Sequence, residues 1–109
     1  MIRVTTLAAT LCLSSLCVMN ATAHTADRVN NLVDAGKADK AWRQCVSQIQ
    51  KGPLKDKQLR DACAWARYQL LLSGEDGEDT VTLTEFSAEW RGTPASVLAR
   101  ARVADIALT

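Results

Sequence analysis

A single histidine, His24, occurs in the 109 residues of this chain, and its scarcity removes several chemistries. A Ser-His-Asp or Cys-His nucleophile needs an imidazole held inside the fold as its base. A copper site at an N-terminal histidine needs a second histidine, and zinc sites built from nitrogen and sulfur need four ligands. Charge imbalance is missing too. The chain has 13 basic and 12 acidic residues, and without Arg3 the two counts are equal. That balance argues against nucleic acid or an anionic membrane surface as the main partner. No Gly-rich phosphate loop and no C-x-x-C redox motif is present. Strand-type alternation is nearly absent, with Thr80–Thr84 the one short candidate. After residue 23 no apolar run is long enough to span a bilayer. The sequence therefore predicts no catalytic residues, no metal and no cofactor.

The first 23 residues are organised differently from the rest. Arg3 supplies a positive start, Val4–Met19 is apolar but diluted by Thr5, Thr6, Thr10, Ser14 and Ser15, and Ala21-Thr22-Ala23 precedes His24. This is the layout of a secretory signal peptide with an A-x-A cleavage site. Leucine, not a small residue, precedes both Cys12 and Cys17, which argues against lipid attachment. Cleavage after Ala23 leaves His24–Thr109, a single small domain in the periplasm or outside the cell. Domains of this size have marginal hydrophobic cores. Two cysteines remain, Cys45 and Cys63, and an oxidising compartment favours joining them.

Beyond residue 23 the apolar spacing is helical almost throughout. Five helices are predicted: about Ala26–Ala35, Ala38–Lys51, Lys55–Ser73, Leu83–Arg91 with Thr82 as N-cap, and Ala95–Leu108. Gly36, Gly52-Pro53, the acidic loop Gly74–Thr80 and Gly92-Thr93-Pro94 separate them. If the second and third helices form an antiparallel hairpin turning at Pro53-Leu54, facing residues have numbers that sum to about 107 or 108. Cys45 and Cys63 satisfy this, which places a disulfide across the hairpin. Trp42 and Trp65 satisfy it as well and are expected to stack one turn further from the bend. Trp42, Trp65 and Trp90 all lie on apolar faces and are read as core residues; one left exposed would be the leading binding anchor.

Charge is segregated along the sequence. Lys51, Lys55, Lys57 and Arg60 fall in a basic stretch, and Glu75, Asp76, Glu78 and Asp79 in an acidic one. These eight are the candidate protein-binding residues, forming a basic and an acidic edge that steer association. The acidic loop lacks the D-x-D-x-D-G rhythm of a calcium loop and has no distal glutamate at the required offset, so it is read as a solvated turn.

A shift of 41 residues overlays the two halves of the domain: Gly36 falls on Gly77, Cys45 on Phe86, Ile49 on Trp90 and Pro53 on Pro94. Repeated helix pairs of this kind mark solenoids. Within the first unit, Leu32, Gly36, Ala41 and Pro53 are spaced as in a tetratricopeptide repeat, and the stretch from about Val29 to Pro94 resembles one. With a disulfide it looks like the cysteine-stapled Sel1-like relatives. The second unit matches only at Gly77, Phe86 and Pro94, with Thr82 where a small residue belongs. The resemblance implies an all-α fold of antiparallel helix pairs in a short right-handed stack. Repeat-like units would cover about 26–53 and 64–94, closed by a helix at 95–108. It also implies a scaffold that presents a groove to a protein or peptide. The expected function is a small exported protein-binding module or adaptor, open to self-association through its charged ends. An immunity or inhibitor protein acting on a secreted toxin or envelope enzyme suits the same features.

Overall fold

The turn at Gly36 shows how local chemistry sets the chain's path. The computed structural model describes residues 24–108; the expected signal peptide, with Cys12 and Cys17, lies outside them. Helix α1 covers residues 24–34 and buries Ala26 and Val29, with Leu32 and Val33 half-buried on the same face. Its end is a Schellman motif: the Lys37 amide donates to the Leu32 carbonyl at 2.8 Å and the Gly36 amide to Val33 at 2.9 Å. This closure needs a left-handed residue, and Gly36 takes φ +77°, which costs a side-chain-bearing residue about 1 kcal/mol.

Helix α2, Ala38–Lys51, fully buries only Ala41 and Cys45. It ends at Gly52, and Pro53 blocks its continuation. Helix α3, Lys57–Leu72, starts at Asp56, whose carboxylate accepts the Leu59 amide at 3.3 Å. It buries Leu59, Ala62, Cys63, Ala64, Ala66, Tyr68 and Leu71, which lie around most of its circumference. α3 is therefore the central rod, and its alanines let neighbours approach closely. α2 packs along it and is joined to it by the disulfide Cys45–Cys63, with Cα atoms 5.6 Å apart. A second side of α3 meets α5, Pro94–Leu108.

A short 3-10 turn, Glu75–Glu78, leads into α4, Thr80–Glu89, which packs on α5. The turn lies tight against the end of α3. A side chain at Gly77 would meet the Leu71 carbonyl oxygen and Leu72 Cα at 3.0 Å, so glycine is required by closeness there and not by dihedral angle. Buried Thr93 makes the α4–α5 corner. Its hydroxyl donates to the Trp90 carbonyl at 2.7 Å and accepts the Ser96 amide at 3.2 Å. Pro94 follows at the first helical position, where its missing N–H costs nothing.

The all-α expectation holds: the described residues form five α-helices with no strand among them, and the disulfide is present. Several details differ. Thr80–Thr84 is the first turn of α4 and not a strand. Asp79, not Thr82, caps that helix, accepting the Val81 amide at 3.0 Å and the Thr82 amide at 3.4 Å. Placing the cap at Thr82 overlooked a carboxylate three residues earlier that meets the free amides of the first turn. The Trp42–Trp65 stack is absent; Trp42 packs on Trp90 and Trp65 on Tyr68. Residues 63 and 65 lie about 200° apart around a helix, so Cys63 and Trp65 cannot both face α2. Arg67, one turn after Cys63, takes the place opposite Trp42. Gly36 and Gly77, which the 41-residue shift superposes, carry out different tasks.

Candidate functional site

All five aromatic residues of the chain, three Trp, one Tyr and one Phe, form one continuous row. Trp42 meets Trp90 edge-on with centroids 6.0 Å apart at 73°. Trp90 lies 6.5 Å from Phe86, Phe86 stacks on Tyr68 at 5.8 Å, and Tyr68 lies 6.0 Å from Trp65. The row draws on α2, α3 and α4, with Trp90 at the C-terminal cap of α4, so it joins the disulfide-linked hairpin to the second half of the domain. Offset and edge-to-face contacts of this kind add about 0.5–1.5 kcal/mol per pair beyond area burial. Phe86 and Trp90 are adjacent because they are four residues apart.

One end of the row opens into a cleft of about 280 Å³ lined by Trp42, Arg67, Leu71, Phe86, Trp90 and the rim residues Thr82, Glu85 and Glu89. The Arg67 guanidinium lies over Trp42 at 5.4 Å, and Arg60 covers another part of the row, 5.7 Å from the Trp90 ring. Trp90 and Phe86 are buried, Trp42 and Arg67 half-buried, and Glu85 and Glu89 exposed. The cleft thus has an aromatic floor, one cation and two carboxylates. Such a surface suits an apolar side chain flanked by polar groups.

The charged candidates divide into those used inside the fold and those left to solvent. Arg60 turns away from the basic edge: it donates to the Arg91 carbonyl at 2.8 Å and the Glu89 carbonyl at 3.3 Å, satisfying the end of α4. Lys57 pairs with Asp61 at 2.9 Å. Glu78 binds Arg102 at 2.7 Å, and the Arg102 Nε–H also donates to the Gly77 carbonyl at 2.6 Å. Asp79 is the α4 cap, and hydrogen bonds from the Thr82 hydroxyl and from the Thr82 and Val81 amides hold its carboxyl below the ordinary range. Lys51 and Lys55 are exposed at the α2–α3 bend, and Glu75 and Asp76 are exposed beyond the far end of α3. The two sets lie about one α3 length apart, roughly 24 Å for 16 residues.

Sequence reasoning passed over Arg67, Glu85 and Glu89 as members of a cleft. Glu85 and Glu89 are one turn apart, directly beside the Phe86/Trp90 pair, and that i,i+4 coincidence was the available signal. Arg67 carries no such mark, because its stacking on Trp42 depends on the register of the hairpin. His24 is exposed at the start of α1. Among the described residues no group of three or more His, Cys, Asp or Glu side chains is arranged to hold a metal ion, and no helix is long and apolar enough to cross a membrane. Comparison with protein-family models, with curated proteins and with solved structures finds no match.

Proposed function

We propose that this chain is a small exported, non-enzymatic module that binds another protein or peptide, built on tetratricopeptide-like helix pairs. The cleft over Trp42, Phe86 and Trp90 carries this reading. It combines aromatic anchors with charged rims, the composition that dominates binding energy at interfaces. A frame pinned by Cys45–Cys63 would lower the ordering cost of binding, and a disulfide suits an oxidising compartment. Lys51 and Lys55 at one end and Glu75 and Asp76 at the other would steer encounter, while Arg60, Glu78 and Asp79 serve junctions of the fold and Lys57 pairs with Asp61 on the surface of α3. The lowered carboxyl of Asp79 is explained by its role as the α4 cap.

Site-specific photocrosslinking in the producing cell tests the proposal. A crosslinker at Glu85, on the cleft rim, is expected to trap one protein repeatedly. The same group at Lys40, on the exposed side of α2, is expected to trap none of it. Equal yields from the two positions, or none from Glu85, would reject the cleft as the binding surface.

A further inference from the structure

The solvent face of α5 has the wrong composition for a solvated helix. Ala95, Ser96 and Ala99 are buried and Arg102, Val103 and Ile106 half-buried, all on one side. The opposite side carries Val97, Ala101, Ala104 and Leu108, all exposed, with Val97 at 55% and Leu108 at 85%. At 3.6 residues per turn these four fall within about 60° of one another, centred about 180° from the buried face. Their spacing is four, three, four, the a/d spacing of a two-stranded coiled coil. Val97 and Ala104 take d positions; Ala101 and Leu108 take a positions.

The flanks identify what covers this seam. Arg100 occupies the g position and Asp105 the e position of the next heptad. Both are exposed, and the side chain of neither makes a hydrogen bond or ion pair with another described residue. When two copies of α5 lie parallel, the g residue of one faces the following e residue of the other. Arg100 then meets Asp105 of the second copy, twice by symmetry. A C2 interface needs a self-complementary patch, and this one is complementary in charge as well as apolar along its centre. Antiparallel packing sets g beside g and e beside e, which would leave Arg100 and Asp105 on opposite flanks of the seam. The helix needs no partner to form, since its other face is already packed on α3 and α4, so association orders little new chain.

We infer that the protein forms a parallel two-fold dimer through α5, with Val97, Ala101, Ala104 and Leu108 at the seam and reciprocal Arg100–Asp105 pairs beside it. Two heptads of mostly small side chains make a small interface, so association is expected to be weak, with a dissociation constant on the order of 100 µM. The dimer is independent of the cleft, which lies on α2, α3 and α4.

Sedimentation equilibrium of the oxidised protein, from about 20 µM to 2 mM, tests it. The expected result is a monomer–dimer equilibrium that Ala101→Glu weakens at least about tenfold, because a carboxylate would be buried at the seam. Val97→Ser, a milder change, is expected to act in the same direction should the first variant lose helicity by circular dichroism. Arg100→Glu should weaken association about fivefold, and Arg100→Glu with Asp105→Arg should restore it to within about twofold. The Val97→Cys variant should oxidise to a covalent dimer, since only parallel packing sets residue 97 beside itself. A monomer throughout the range overturns the inference. So does a dimer that survives both Ala101→Glu and Val97→Ser, or one lost on Lys51→Glu/Lys55→Glu, or a Val97→Cys variant that stays uncrosslinked under oxidation.

Discussion

Cutting the Cys45–Cys63 link should act most strongly on α2. The bond joins residues 18 apart in sequence, and closing a loop of that size removes about 3 kcal/mol of chain entropy from the unfolded state. A domain of this size shifts by about 4–8 °C per kcal/mol, so reduction should lower Tm by about 12–24 °C. The loss is not evenly shared. α3 buries seven residues, whereas α2 buries Ala41 and Cys45 alone and adds the half-buried Trp42. Without the bond, α2 is held chiefly by Trp42 on Trp90 and Arg67 on Trp42. These contacts amount to about 1–3 kcal/mol together. α2 should then open locally below the cost of global unfolding.

Two measurements check this. Urea unfolding of oxidised and fully reduced protein, followed by circular dichroism, gives the global change, with Cys45→Ala/Cys63→Ala as a variant insensitive to reductant. Hydrogen exchange gives the local one: amides in the last two turns of α2 should lose protection by at least about tenfold more than those of α3. A global change under about 1 kcal/mol, or equal loss of protection in the two helices, would refute the assignment of α2 as the stapled element.

Gly77→Ala should destabilise by about 1–3 kcal/mol, because the new methyl meets backbone atoms of α3 at 3.0 Å that cannot swing aside; Gly36→Ala, strained only by its dihedral angle, should lose about 1 kcal/mol, and thermal melts compare the two. Arg60→Met should remove the clasp on the Arg91 and Glu89 carbonyls and lower stability by about 1–2 kcal/mol in urea, whereas Lys55→Met nearby should be almost neutral. Asp79→Ala should lower Tm at pH 7 through loss of the α4 cap. The Asp79 carboxyl is held below its unfolded value, so its contribution is present above the ordinary carboxylate range and is lost as pH falls through the folded value. Asp79→Asn should therefore flatten the acid side of the stability–pH profile; a steep unchanged slope below about pH 4 would assign that slope to other groups.

Much of the helical plan was legible because it depends on local signals. The face of α2 follows from Ala38, Ala41, Trp42 and Cys45 at helical spacing, and its end from Gly52-Pro53; Ile49, on the same stripe, is left exposed. The disulfide followed from the length of the α2–α3 turn combined with the hairpin rule. That rule fails one step further, at Trp65, because facing pairs in two helices recur at three or four residues and not at every matching sum. The cap at Asp79 was hidden for a different reason: Glu75–Asp79 reads as one acidic run, and only geometry shows which carboxylate meets free amides. The aromatic row was out of reach. It joins residues on three elements, and no periodicity within a single element encodes it.

The basic and acidic edges illustrate why charge counts along a sequence overstate what is free to bind. Arg60 and Arg102 reach across to carbonyls of other elements, while Glu78 and Asp79 serve the junction before α4. Arg60, Arg102 and Asp79 act where a helix end or turn leaves polar backbone groups without partners, and Glu78 holds Arg102 in place. Reversing these charges would disturb folding before it disturbed recognition. Lys51, Lys55, Glu75 and Asp76 have no such duty. A charge-reversal pair confined to Lys51→Glu and Lys55→Glu should therefore leave Tm within about 4 °C, the range of ordinary surface substitutions. Its measurable effect should be a slower association rate with an acidic partner surface and a smaller dependence of that rate on salt. A Tm drop as large as that of Arg60→Met would show that the bend is held by charge after all and would remove the basic end from the binding surface.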